Sequence, residues 1–178
     1  MKYIKEHIDN NSRVNGTGKL NTFLKEGLSY EEWLEYSKQC VDKAYAELNN
    51  TIPCNTFFTI RESDNKIVGM VNVRHCLIEE ISKYAGHIGY DIRPLERGKG
   101  YAKIQLYLAL QEAKKLGLKK VMITCDQTNV PSERTIRALG GFFEKNGVDE
   151  TKDSIESINW IDVNKALEDH KAIIEETY

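Results

Sequence analysis

Between positions 97 and 102 the chain reads Arg-Gly-Lys-Gly-Tyr-Ala, two glycines and two cations in six residues. Gly98 and Gly100 permit positive φ and a close approach of backbone to a ligand. The apolar-periodic segment that follows predicts a helix, whose first amides lack intrahelical acceptors and whose dipole favours an anion. Together these features describe a seat for phosphate. Two well-known phosphate loops do not fit it. A P-loop needs G-x-x-x-x-G-K-[ST], but in "NGTGKL" Lys19 is followed by Leu20 and Arg13 holds the leading glycine's place. In "RGKGYA" the same two places hold Gly100 and Arg93. The dinucleotide pattern G-x-G-x-x-G matches Gly98 and Gly100 but meets Lys103 at its third glycine. A nucleotide-dependent oxidoreductase with Asp126 as the ribose-binding acid is the reading which that partial match leaves open.

The elements around the turn follow from pattern. "MKYIKEHI" opens a helix, and "RVNGTGKLNTFLKEG" reads as a loop from its Gly and Asn content. "SYEEWLEYSKQCVDKAYAEL" is an amphipathic helix, with Ser29 and Glu32 as a capping box and Trp33, Tyr36, Cys40, Val41 and Ala44 at helical spacing. Trp33 reads as core. "CNTFFTIRE" and "KIVGMVNVRH", separated by "SDN", form an antiparallel hairpin. "LIEEISKYA" links it to the strand "GHIGYDI", which ends before Pro94. A helix from about Gly100 to Leu116, the strand "KKVMITC" and a helix from about Pro131 to Leu139 come next. "GGFFEKN" and "SIESINWI" are the last strands. A terminal helix starts at Val163, with Val163, Ala166, Leu167, Ile173 and Ile174 on one face. The order predicts an α/β (α+β) fold: one mixed, mostly antiparallel, twisted sheet with helices on both faces.

With its surroundings, "RGKGYA" resembles the Arg/Gln-x-x-Gly-x-Gly/Ala signature of the GNAT superfamily of acetyl-CoA-dependent N-acetyltransferases, with Arg97, Gly100 and Ala102 in the defining places. "VMITCDQTNVPSERTIRALGGFFEK" resembles that family's next strand, its Asn-x-x-Ser helix start and its Gly-Gly-Phe strand. The likeness runs from about Phe57 to Phe143, and "GHIGYDIRP" with "ITCDQTN" looks like one bacterial branch of predicted acetyltransferases. The resemblance implies that Arg97, Gly98, Lys99, Gly100, Tyr101 and Ala102 cradle the diphosphate of acetyl-CoA, the cosubstrate. It also implies that Ile92 pairs with the pantetheine arm where the sheet splays, and that Asn129 and Ser132 contact the coenzyme. The residues alone read Asn129 equally as a helix cap, with Pro131 in the first turn. Lys99 and Lys103 read both as charge near the phosphates and as solvated surface lysines.

Acyl transfer to an amine needs a neutral nitrogen, whereas a primary amine with a pKa of about 10 is protonated at pH 7. A base must therefore stand within reach of it. Alternation along "GHIGYDI" places His87, Gly89 and Asp91 on one face. His87, near where some relatives carry a glutamate base, is the first candidate, ahead of Asp91 and Glu80; Glu79 and Glu80 also read as a polar face of the connecting loop, and His75 lies on the hairpin end with no comparable argument. The oxyanion needs a backbone N–H from the strand near Tyr90 to Ile92. Many relatives place a tyrosine four residues after the matching serine to protonate the leaving sulfur. Here that position is Ile136, so Tyr90 or a water serves, or the thiolate leaves unaided with its pKa of about 8.5. Covalent catalysis by Cys125 is disfavoured because its neighbours "VMIT" bury it. The expected reaction transfers acetyl from acetyl-CoA to a primary amine, on a small molecule or peptide, by direct attack in a ternary complex. The alternative is an acyl-CoA-binding sensor or scaffold without turnover.

The whole chain sets the remaining limits. Its 178 residues predict one domain, with a helical front segment over 1–50, core sheet and coenzyme region over 53–161 and a terminal helix over 162–178. A net charge of −2 with mixed signs argues against nucleic-acid and membrane partners. No apolar run reaches the ~18 residues of a spanning helix, and the polar first ten residues predict a cytoplasmic protein. Cys40, Cys54, Cys76 and Cys125 form no C-x-x-C, so they read as reduced and structural, and no metal site is expected. The family usually begins with a strand before its first helix. Its absence here predicts a sheet without that edge strand, or one completed by a neighbouring chain in a homodimer.

Overall fold

The computed structural model describes residues 2–79, 84–149 and 153–177. Helices α1 (Lys2–Asp9), α2 (Leu20–Lys25), α3 (Tyr30–Gln39) and α4 (Lys43–Leu48) come first, followed by strands β1 (Cys54–Arg61), β2 (Lys66–Arg74) and β3 (Ile88–Ile92). A single 3-10 turn, Pro94–Glu96, leads to helix α5 (Tyr101–Lys115). Strand β4 (Lys120–Asp126), helix α6 (Val130–Arg137), strands β5 (Phe142–Asp149) and β6 (Ser154–Asp162) and helix α7 (Val163–Thr177) complete the chain.

Two departures from the sequence pattern concern the front segment. Leu20–Lys25 is a helix inside the stretch read as loop, entered through Lys19 in the left-handed region at φ 69°. The long helix expected from Ser29 is broken: the Ser29–Glu32 capping box is present, but Asp42 starts a new helix by accepting from the Tyr45 amide at 2.8 Å. Breaking the helix resets its phase. Trp33 and Cys40 are buried, whereas Val41 and Ala44 are exposed and Ala46 is buried instead.

The strands form two antiparallel three-stranded sheets, ordered β1-β2-β3 and β4-β6-β5. They meet at one seam. The His87 amide donates to Met122 O at 2.7 Å, and the Met122 amide donates to His87 Nδ1 at 2.9 Å. Gly86 is required there, because a Cβ would stand 2.1 Å from Met122 O. Beyond the seam the edges of β3 and β4 separate, and α5 packs on β2 and β3 and against α6 and α7.

One core lies on the α5 side. Leu106, Ala109, Leu110 and Ala113, one face of α5 at helical spacing, meet Val71, Val73, Ile88, Val121, Ile123 and Ile161. Val163, Ala166, Leu167 and Ile174 of α7 join them, so the terminal helix packs on its own chain; the Ile173 side chain is outside the description. A second cluster covers the other face of the first sheet with Tyr3, Ile4, Leu20, Trp33 and Met70. Trp33 donates from Nε1 to Gly18 O at 2.8 Å. No helix among the described residues is long and apolar enough to cross a membrane.

Candidate coenzyme cleft and active site

Where β3 and β4 part, a cleft of ≈ 780 Å³ opens. Its walls are β3 from Ile88 to Ile92, the end of β4 from Thr124 to Asp126, the turn before α5 and the start of α6. At one end Gly98 and Gly100 have φ of 76° and 87°, which only glycine adopts without strain. No side chain caps α5 at Gly100, so its first amides are presented to the cleft beside Arg97, Tyr101, Ala102 and Lys103. This is the chemistry a diphosphate requires. No group of metal-ligating side chains is found among the described residues.

The cations here differ in freedom. Glu96, buried, accepts from Lys66 at 2.5 Å, Lys99 at 2.8 Å and Arg61 at 2.9 Å. These bonds, Lys66's and then Lys99's foremost, hold its carboxyl down at about 2. Lys99 is therefore engaged with Glu96, while Lys103 faces the cleft without a carboxylate partner among the described residues. Arg97 folds back: Nε donates to Ile92 O at 2.8 Å, and Nη2 donates to Asp91 Oδ1 at 2.9 Å and Ser12 Oγ at 2.7 Å.

Strand parity organises the rest. Arg74 N donates to His87 O and Arg93 N to Val68 O. Odd-numbered residues of β3 thus turn their backbone groups toward β2, and Ile88, Tyr90 and Ile92 turn theirs toward the cleft. At Ile92 both groups are engaged, the N–H by its own Asp91 Oδ1 at 2.8 Å and the carbonyl by Arg97. Side chains alternate perpendicular to this.

Tyr90 points to the α5 side, where its hydroxyl lies 3.0 Å from Ser132 Oγ. Burial pushes its pKa up to about 12. Burial likewise raises the Cys125 thiol to about 11, so it is no ready nucleophile. Ile136 is fully buried in the core. Asn129 caps α6, accepting from the Ser132 amide at 3.2 Å.

Asp91 points to the opposite face. Burial raises its pKa, although Arg97 and His7 oppose the shift. Oδ2 accepts from the Asn15 amide at 3.2 Å and stands 4.0 Å from His7 Nδ1. His7 Nδ1 also lies 3.1 Å from the Arg13 carbonyl, which can only accept, so Nδ1 carries the proton. Glu6 anchors the same helix to the segment before the cradle, pairing with Arg93 at 2.5 Å and the Leu95 amide at 3.1 Å.

His87 differs from its first expectation. Its ring does not line the cleft; Nδ1 is committed to the Met122 amide, and burial, then the Arg74 cation, lowers its pKa to about 4. It joins the sheets, which argues against a role as base. His75 pairs with Asn55 Oδ1 at 2.7 Å and lies outside the cleft. Glu80 is outside the described residues. Sequence reasoning missed Glu6, His7, Ser12, Asn15 and Arg74, all from segments with no motif; the helical period of "MKYIKEHI" reached Glu6 and His7, and the strand pattern of "KIVGMVNVRH" reached Arg74, without marking any of them as functional.

The fold has solved counterparts. A ribosomal-protein-S5-alanine acetyltransferase from Vibrio fischeri aligns at TM-score 0.57 and 17% identity, over 75% of this chain and 70% of that one. A spermidine N-acetyltransferase variant from Vibrio cholerae aligns at 0.56 and 20%, over 77% and 76%. A putative acetyltransferase from Salmonella typhimurium, solved with its cofactor acetyl-CoA, aligns at 0.50 and 14%, over 67% and 70%. No curated protein matches the sequence. The profile of the acetyltransferase (GNAT) family matches residues 25–141, from the helices under the first sheet through the cradle to the end of α6. With that match over more than half its length, the chain belongs to the acetyltransferase (GNAT) family.

Proposed function

We propose that the protein transfers an acetyl group from acetyl-CoA to a primary amine by direct attack within a ternary complex. One observation carries the reading: a single strand joins the anion cradle to two partly buried titratable side chains on its opposite faces, Tyr90 and Asp91. When bound, acetyl-CoA supplies the electrophilic thioester; the remaining work falls to this chain. Amides from Gly98 to Ala102 take the diphosphate, Lys103 supplies the free positive charge, and Asn129 and Ser132 border the coenzyme at the start of α6. Pairing of the pantetheine arm at Ile92 exchanges the bonds that Arg97 and Asp91 make there. The Tyr90 N–H, turned into the cleft by parity, donates to the oxyanion.

Asp91, directly or through one water, takes the ammonium proton. Its raised pKa makes it a better proton acceptor than an ordinary aspartate. The Tyr90 hydroxyl stands in for the family tyrosine replaced by Ile136 and protonates the departing sulfur. The substrates for which the structural relatives are named, spermidine and a ribosomal protein's alanine, support an amine acceptor. Thiol release from acetyl-CoA, followed with a panel of amines, tests the reading: amine-dependent release is expected. Tight coenzyme binding without it would favour the sensor, and preferential dinucleotide binding the oxidoreductase.

A further inference from the structure

Arg74, a cation of the cleft, holds no carboxylate among the described residues. Arg74 closes β2 on the face that carries Asp91, since Met70 registers with Asp91 and Asn72 with Gly89. Its guanidinium lines the seam end of the cleft with Tyr84 and Gly86, and Nη1 donates to Gly86 O at 2.6 Å. Arg61, Arg93 and Arg97 each hold a carboxylate within 2.9 Å. Among the described residues none lies within ion-pair distance of Arg74. Its pKa is lowered by burial, as befits a cation withdrawn from water without an anion beside it.

The coenzyme's diphosphate does not explain this site. The cradle lies beyond the far end of β3, whose five residues span roughly 17 Å at about 3.3 Å each. A planar guanidinium with Nη1 tied to a carbonyl, on a residue that lines the cleft, matches a carboxylate. We infer that Arg74 receives a carboxylate of the acceptor, so that the amine this enzyme takes is an amino acid or ω-amino acid and not a polyamine. The inference rests on the transferase reading for its chemistry, but the anion site itself does not. A polyamine would bring ammonium groups to a partly buried cation that holds no carboxylate among the described residues, whereas a carboxylate supplies one.

The test compares acetyl transfer to ω-amino acids, from glycine to 5-aminopentanoate, with transfer to n-alkylamines of equal length. Calorimetry on the CoA-loaded protein measures binding of the same compounds. At the best length the carboxylate should raise kcat/KM at least about tenfold, as a charge-assisted pair does. In Arg74→Gln this ratio should collapse toward one. Alkylamines used as well as amino acids, or a preference that survives Arg74→Gln, overturns the inference. Arg74-dependent binding of amino acids without transfer sustains the anion site and overturns the transferase reading, while transfer to alkylamines without carboxylate preference does the reverse. Neither binding nor transfer overturns both. Should Arg74→Gln lose CoA binding through misfolding, Arg74→Lys decides: it keeps the charge but loses the fork, and an undiminished preference in it overturns the inference.

Discussion

The two faces of β3 differ by one residue in sequence and by everything in environment. On one, Tyr90 lies in the apolar layer beneath α5 and meets the hydroxyls of Ser132 and Thr135. On the other, Asp91 sits among Arg97, from the turn that follows the strand, and His7 and the Asn15 amide, brought by a helix and a loop distant in sequence. Burial raises both pKa values, with opposite chemical meaning. A raised phenol keeps its proton until one is needed, and a raised carboxyl holds one more strongly once it is taken. A strand's period of two thus separates a phenol and a carboxyl by the thickness of one backbone.

The largest test removes what both faces serve. Gly100→Val demands φ near 87° of a β-branched residue. Coenzyme affinity, measured by calorimetry, should fall at least ~100-fold from blocked backbone approach, with backbone strain of about 1–3 kcal/mol read as lost stability. Retained affinity would break the cradle assignment.

Asp91→Asn should lower kcat/KM about 100-fold at neutral pH, the scale of a general base. In the wild type, activity should rise with pH through Asp91's raised pKa, because only the carboxylate accepts a proton; the variant should lack that limb. Tyr90→Phe should cost less, about tenfold in kcat, since a thiol of pKa about 8.5 departs passably without help. Affinity for coenzyme should persist in it, and unchanged turnover would mean that the thiolate leaves unaided.

His87→Ala sharpens the contrast by sparing both faces. Leaving the buried Met122 amide without its acceptor should cost about 1–3 kcal/mol in urea unfolding, with the acid limb of the pH profile kept. Its folded pKa of about 4 lies below the ordinary 6.5. Its contribution to stability is complete above about pH 6.5 and is lost as pH falls toward 4. The smallest effect separates two lysines. Lys103→Ala should weaken coenzyme binding roughly threefold at low salt, and Lys99→Ala less, because Glu96 already holds Lys99.

The glycine turn was legible because its geometry is local. A helix start, two glycines and a preceding strand lie within a dozen residues. The hairpin, α5 and the α6 cap were legible for the same reason. The long helix from Ser29 was misread because Asp42 competes for the backbone as a new cap, and a periodicity count does not register that competition. His87 looked like a base because alternation put it on the face of Asp91. Only the partner across the seam, the Met122 amide, shows that its lone pair is already committed.

By itself the sequence determined the family, the glycine turn before α5 and the alternation that sets Tyr90 against Asp91, since each depends on neighbours a few bonds apart. The tertiary structure decided which of those groups are free to react. A proton's affinity depends on burial and on charges within a few ångströms, and here those come from residues as far removed as His7, Arg74 and Ser132.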